Sequence, residues 1–78
     1  MPTIPRVGPY RFFFYSNEGD EPPHIHVQRD RSVGKFWLDP VRLASSRRFG
    51  GRALREIETL VNENRDTLLD AWNDFFGA

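Results

Sequence analysis

Residues 24–38 decide the fold, and their sequence is HIHVQRDRSVGKFWL. The first six alternate in polarity: Ile25 and Val27 point to one side, while the intervening His24, His26 and Gln28 point to the other. Another extended run covers residues 32–38, and the two residues between the runs fit a tight turn. The stretch therefore predicts a β-hairpin.

The apolar residues also predict the register of this hairpin. A loop with an even number of residues pairs His26 with Lys35 and His24 with Trp37, and directly opposed residues share a face. An odd loop would bury a histidine against Phe36, so the pattern selects the even register. One face then collects the apolar residues Ile25, Val27, Phe36 and Leu38. The other is predicted to be a polar and aromatic platform of His24, His26, Gln28, Lys35 and Trp37.

Further elements flank the hairpin. Residues 10–16 form an aromatic run typical of a strand, and residues 41–44 are a short candidate fourth strand. Apolar residues at helical spacing from Leu54 to Phe76 predict a helix over about 51–76, with Gly50 as its N-cap. Their preserved phase favours one long or kinked helix. A length of about 37 Å, more than a compact domain of this size spans, favours two helices with a break near Asn64.

Together these elements predict one α+β domain over residues 1–78. A small antiparallel sheet of three to four strands is covered on one face by the C-terminal helix or helices. The aromatic side chains exceed what one helix can cover, so a homodimer or a complex with another protein is expected.

Composition excludes several classes of protein. The longest apolar run, residues 12–15, is too short to span a bilayer, and the absence of cysteine rules out disulfides and thiolate zinc sites. The first residues have no apolar stretch of signal-peptide length, so a cytoplasmic location is expected. Charge is balanced overall but not along the chain. Residues 1–55 carry ten basic and five acidic groups, and residues 56–78 one basic and six acidic groups.

The two histidines are the candidate catalytic residues, together with Lys35. Histidine can transfer protons near neutral pH, so His24 and His26 suit metal-independent cleavage of RNA. They also suit metal binding, which would require a third ligand from Glu18, Asp20 or Asp39. With two histidines and no cysteine, a closed four-ligand site would need carboxylates or a second subunit, so no metal is predicted, and no cofactor is expected. A purely structural role, in which both rings bond to the preceding loop, is an alternative to every functional use of these residues.

A third use of the platform is binding without catalysis. Aromatic side chains can stack on bases or peptides, and arginines can bind phosphates or carboxylates. The candidates for binding nucleic acid or a partner are Tyr15, Arg29, Arg31, Trp37, Arg47 and Arg48.

The chain resembles the bacterial domain-of-unknown-function family 4160 along almost its whole length. The motifs that carry the resemblance are Met1-Pro2-Thr3-Ile4, Arg11-Phe12-Phe13-Phe14-Tyr15-Ser16, Pro22-Pro23-His24-Ile25-His26-Val27, Lys35-Phe36-Trp37-Leu38, Leu54-Arg55-Glu56-Ile57 and Ala71-Trp72-Asn73. The resemblance does not imply a particular biochemical activity, because none is assigned to the family. It implies a small protein partner encoded nearby, of domain-of-unknown-function family 2442, in an arrangement similar to a toxin–antitoxin pair. The leading hypothesis is thus a component of such a pair. The alternatives are a ribonuclease or phosphodiesterase and a nucleic-acid-binding module.

Overall fold

The computed structural model describes residues 7–77 as a four-stranded antiparallel sheet followed by two helices. The elements are β1 (Arg11–Phe13), β2 (His24–Arg29), β3 (Ser32–Leu38), β4 (Val41–Arg47), α1 (Gly51–Glu63) and α2 (Arg65–Phe76). Each strand pairs with the next one along the chain. This is the α+β arrangement predicted from the sequence. The segment 1–4, which contributes to the family resemblance, lies outside the described residues.

The predicted register of the β2–β3 hairpin is confirmed. His24 pairs with Trp37, and His26 pairs with Lys35. The turn consists of Asp30 and Arg31, and Asp30 adopts a left-handed conformation with φ of 54°. Aspartate tolerates this conformation better than most residues, so the turn forms without the glycine that two-residue hairpins favour.

The outer strands differ in length from the prediction. β1 is confined to Arg11–Phe13, whereas the aromatic run 10–16 was expected to be extended throughout. β4 extends over Val41–Arg47 rather than ending at Ala44. Lys35 pairs with Ser45 and Phe36 with Leu43, so the register shifts by one residue at Ala44. The strand continues past this bulge through two serines, which are not among the residues enriched in strands.

The C-terminal segment forms two helices that meet at Asn64, in place of the single long or kinked helix over 51–76 that the preserved phase favoured. α1 ends before Asn64, whose side-chain Nδ2 donates to the carbonyl oxygen of Leu60 at 2.8 Å. Asn64 therefore binds the end of α1, and its side chain does not cap α2 as a residue of this type was expected to. The longest dimension of the molecule is 34 Å, shorter than the roughly 37 Å of a continuous helix.

The core lies between the helices and one face of the sheet. It contains aromatic and aliphatic side chains from both layers: Tyr10, Phe12, Phe14, Ile25, Val27, Phe36, Leu38, Ile57, Val61, Leu68 and Trp72. Most of the aromatic surface that was expected to need a partner is buried within the chain. Phe14 is fully buried against Trp72, Phe75 and Phe76, whereas Tyr15 remains 48 % exposed. The aromatic residues therefore give little reason to expect association with another chain.

Neither of the two described helices is both long enough and apolar enough to cross a membrane.

Candidate functional site

Glu18, His24 and His26 converge at the end of the sheet where β2 begins. The loop between β1 and β2 turns back after Tyr15, where the Glu18 N–H donates to the Tyr15 carbonyl oxygen at 3.3 Å. The turn is closed by a second bond, from the backbone N–H of Tyr15 to Oε1 of Glu18 at 3.0 Å. These bonds place the Glu18 carboxylate beside both imidazole rings.

His24 is fully buried, which corrects the expectation that both histidines stand on an open platform. The register does place it opposite Trp37, but the ring of Trp72 in α2 packs against it, with 4.8 Å between the ring centroids of His24 and Trp72. The Nδ1–H of His24 donates to the carbonyl oxygen of Pro22 at 2.9 Å. Nε2 lies 3.1 Å from Oε1 of Glu18. Its direction does not allow a hydrogen bond, and Nε2 has no hydrogen-bond partner among the described residues.

His26 is partly exposed and bound to the same carboxylate. Its Nε2–H donates to Oε1 and Oε2 of Glu18, at 2.9 and 3.1 Å. The ring stacks on Phe13 and meets Tyr15 edge-on. Burial lowers the pKa of His26, and the nearby Glu18 carboxylate only partly offsets this. The imidazole is therefore held in its neutral form at pH 7.

The Glu18 carboxylate is held in its charged form. Burial alone would raise its pKa, but the hydrogen bonds from the Tyr15 backbone and from His26 lower it below the ordinary 4.5. The site thus combines an ionised carboxylate with a neutral imidazole at neutral pH.

Lys35 lies next to the histidines, as the register predicts, but its charge is already paired. Its Nζ contacts Oε1 of Glu21 at 2.6 Å and lies 4.6 Å from the ring centroid of Trp37. Lys35, Trp37 and Tyr15 are therefore the predicted site residues that the fold brings close to the two histidines.

An open groove continues from His26 across the strands. Its volume is about 250 Å³, and it is lined by His26, Val33, Gly34, Lys35, Ser45, Ser46 and Arg47. The candidate residue Arg47 therefore shares this groove with His26. The cations and hydroxyl groups that line this groove suit an anionic ligand.

The other candidate arginines lie at the opposite end of the hairpin. Arg29 and Arg48 line a separate groove next to Phe49, and Arg31 is exposed in the β2–β3 turn. The fold does not bring these three arginines to the histidines.

Of the three carboxylates named as candidate third ligands, Glu18 is the one that joins the histidines. Asp39 instead binds Arg65 at 2.8 Å, in the turn after β3. Sequence reasoning missed the partners Glu21 and Arg65. Nothing local in the sequence indicated either the contact of Glu21 with Lys35 or that of Arg65 with Asp39.

The fold and site define a small α+β protein with a carboxylate–imidazole cluster at the mouth of a cationic groove. Residues 10–73 match the family model described as Domain of unknown function (DUF4160), and the chain belongs to this family. The match includes every residue of the cluster and confirms the resemblance noted from the motifs. No curated protein and no solved structure matches the chain.

Proposed function

We propose that this protein acts by binding a small protein partner, as one component of a toxin–antitoxin-like pair. The observation on which the proposal rests is the edge strand β4. It has seven residues, of which six are exposed, and β3 is its one strand partner among residues 7–77. A long exposed edge offers free backbone groups to another strand, and folded proteins usually cover or interrupt such edges.

Charge supports a partner that approaches from the side of β4. Arg42 and Arg47 lie on this strand and are exposed, whereas α1 and α2 carry the acidic groups of residues 56–78. A partner that adds a strand with acidic side chains would satisfy both the backbone of β4 and its arginines. The family resemblance supplies the candidate, the small protein of domain-of-unknown-function family 2442 encoded nearby.

Co-expression tests this proposal. We expect the chain to co-purify with the neighbouring small protein, and growth to change when one is expressed without the other. The double variant Arg42→Glu/Arg47→Glu should lose the partner, whereas Arg52→Glu, on the exposed side of α1, should retain it. The absence of a complex and of any growth effect would reject the proposal. If the chain instead formed a homodimer that buries β4, the proposal would be replaced by self-association through this strand.

Cleavage of RNA is a second candidate function, favoured by the Glu18–His26 hydrogen bond beside the groove. A carboxylate that orients a neutral imidazole is an arrangement used for proton transfer. The exposed lining residue Arg47 would bind phosphate. This activity would persist in the presence of a chelator and would disappear in His26→Gln. Equal rates for His26→Gln and the wild type would exclude it.

A further inference from the structure

Three potential metal ligands face one another in the Glu18–His24–His26 cluster. One potential ligand atom from each of the three residues lies within 4.8 Å of the other two. The Oε1 atom of Glu18 is 3.1 Å from Nε2 of His24 and 2.9 Å from Nε2 of His26. Two ligand atoms about 2.1 Å from a tetrahedrally bound ion are separated by roughly 3.4 Å, so each of these spacings would widen by only a few tenths of an ångström on binding.

The hydrogen bond to Pro22 determines what His24 can offer the cluster. A carbonyl oxygen can only accept, so Nδ1 of His24 carries the proton and, in the neutral ring, Nε2 carries the lone pair. This nitrogen is fully buried and has no hydrogen-bond partner in the described residues. An unpaired buried nitrogen costs free energy unless a proton or a cation satisfies it.

The direction of the lone pair distinguishes these possibilities. Glu18 Oε1 lies close to Nε2 of His24 but outside hydrogen-bonding direction. In a metal centre the ion lies on the axis of the imidazole lone pair, and the neighbouring ligand lies to the side of this axis. The off-axis position of the carboxylate therefore fits a nitrogen that binds a metal ion. It does not fit an imidazolium that donates a hydrogen bond to this carboxylate.

We infer that Glu18, His24 and His26 form a binding site for one divalent transition-metal ion, with Zn²⁺ as the reference ion. Two neutral imidazoles and a carboxylate suit ions of borderline softness, and the absence of thiolates disfavours softer ions. Binding requires the proton of the His26 ring to move from Nε2, where it is now donated to Glu18, to Nδ1, so that Nε2 offers its lone pair and the ring stays neutral. The Nδ1–H bond from His24 to Pro22 fixes the ring, as outer hydrogen bonds do in known metal sites.

The site leaves room for a fourth ligand. Three protein ligands with one open position are typical of catalytic zinc, whereas structural zinc usually has four protein ligands. His26 and Glu18 retain 19 % and 15 % of their side-chain exposure, and His26 also lines the groove with Arg47. An ion held here would therefore be accessible to water or to an anionic ligand in the groove. This inference is independent of the partner proposed for β4.

Titration of untagged protein with Zn²⁺ alone, in competition with a chromophoric chelator, tests the site. We expect one ion per chain, a rise in melting temperature, and absorption bands typical of low coordination number when Co²⁺ is used. Glu18→Gln and His26→Gln should each weaken binding by more than about tenfold, because even loss of an outer hydrogen-bond partner costs about that much. Both side chains are partly exposed, so these variants should fold, which circular dichroism checks.

The matched control is Glu21→Gln, which removes a carboxylate from the same loop outside the cluster. It should bind Zn²⁺ like the wild type. Failure of the folded wild-type protein to bind one ion would overturn the inference. So would wild-type affinity in Glu18→Gln and His26→Gln, or equal losses in Glu21→Gln. Loss of the β4 partner would not affect any of these outcomes.

Discussion

The Nδ1–H group of His24 donates to the carbonyl oxygen of Pro22 across 2.9 Å, and this bond determines which ring nitrogen faces Glu18. The two prolines that precede β2 thus have a role beyond ending the loop. They hold a carbonyl where it fixes the tautomer of a buried histidine. One backbone interaction therefore links the loop to the chemistry available in the cluster.

The two histidines should differ in their contribution to stability. His24→Gln removes a buried ring that contacts Trp72 and replaces the fixed Nδ1–H donor to Pro22 with a flexible amide, so we expect a loss of about 1–3 kcal/mol. His26→Gln, at a partly exposed position, should cost clearly less. Urea unfolding of the metal-free protein measures both. Equal losses would mean that the burial of His24 is not what distinguishes the pair.

Arg65 should connect α2 to the turn between β3 and β4. Its Nε–H donates to the carbonyl oxygen of Leu38 at 3.0 Å, and its guanidinium pairs with Asp39 at 2.8 Å. We expect Arg65→Ala to lower the free energy of unfolding by about 1–2 kcal/mol, with the lower part of the range set by solvent exposure of the ion pair.

Arg52→Ala provides the comparison for Arg65, because Arg52 is an exposed arginine on α1. It should change the free energy of unfolding by less than about 0.5 kcal/mol. If urea denaturation gave the same value for both alanine variants, the contacts of Arg65 would not contribute to holding α2.

Local alternation was sufficient to predict the centre of the fold. In the hairpin, a register error of one residue would move Ile25 and Val27 out of the core, so the pattern allows one solution. The edge strand was harder to predict. Ser45 and Ser46 have weak strand propensity, and their pairing depends on a bulge in β4 and on the neighbouring β3.

The candidate site was predicted in part for the same reason. The strand period brings His24 and His26 to one face, but the burial of His24 depends on Trp72, which is 48 residues further along the chain. The choice of Glu18 over Asp39 also depends on tertiary structure, because Asp39 is already bound to Arg65. Neither contact has a local signature.

The metal-free protein should lose stability as the pH falls, in two steps. The pKa of His26 is below 6.5 in the folded state, so its contribution is complete above 6.5 and is lost as the pH falls through the lower folded value. The pKa of Glu18 is below 4.5, so its contribution is complete above 4.5 and is lost as the pH falls further.

Urea unfolding in the presence of a chelator, at a series of pH values, measures these two steps. His26→Gln should flatten the upper step, because glutamine does not titrate. The lower step should remain, since Glu18 still accepts the hydrogen bond from Tyr15. An upper step that is unchanged in His26→Gln would assign it to another group.

Gly19 should be required for the position of the loop that holds Glu18. A Cβ atom added at Gly19 would lie 2.7 Å from Cδ1 of Phe76. The Phe76 ring packs on Phe14 and Trp72, so it cannot move away without disturbing the core. We expect Gly19→Ala to cost about 1–3 kcal/mol of stability, as overpacking usually does. Because the loop would shift instead of the core, Zn²⁺ affinity should fall as well.

Gly50→Ala is the matched control, since a Cβ there meets nothing within 4 Å and the φ of −78° suits alanine. It should leave Zn²⁺ affinity unchanged and change stability by less than about 1 kcal/mol. Thermal melting and Zn²⁺ titration of both variants separate the two effects. If Gly19→Ala were destabilised but bound Zn²⁺ like Gly50→Ala, the position of Glu18 would not depend on the contact between this loop and Phe76. If Gly19→Ala were as stable as Gly50→Ala, the loop would have room for the added methyl group. The close packing of Gly19 on Phe76 would then not be what positions the Glu18 carboxylate.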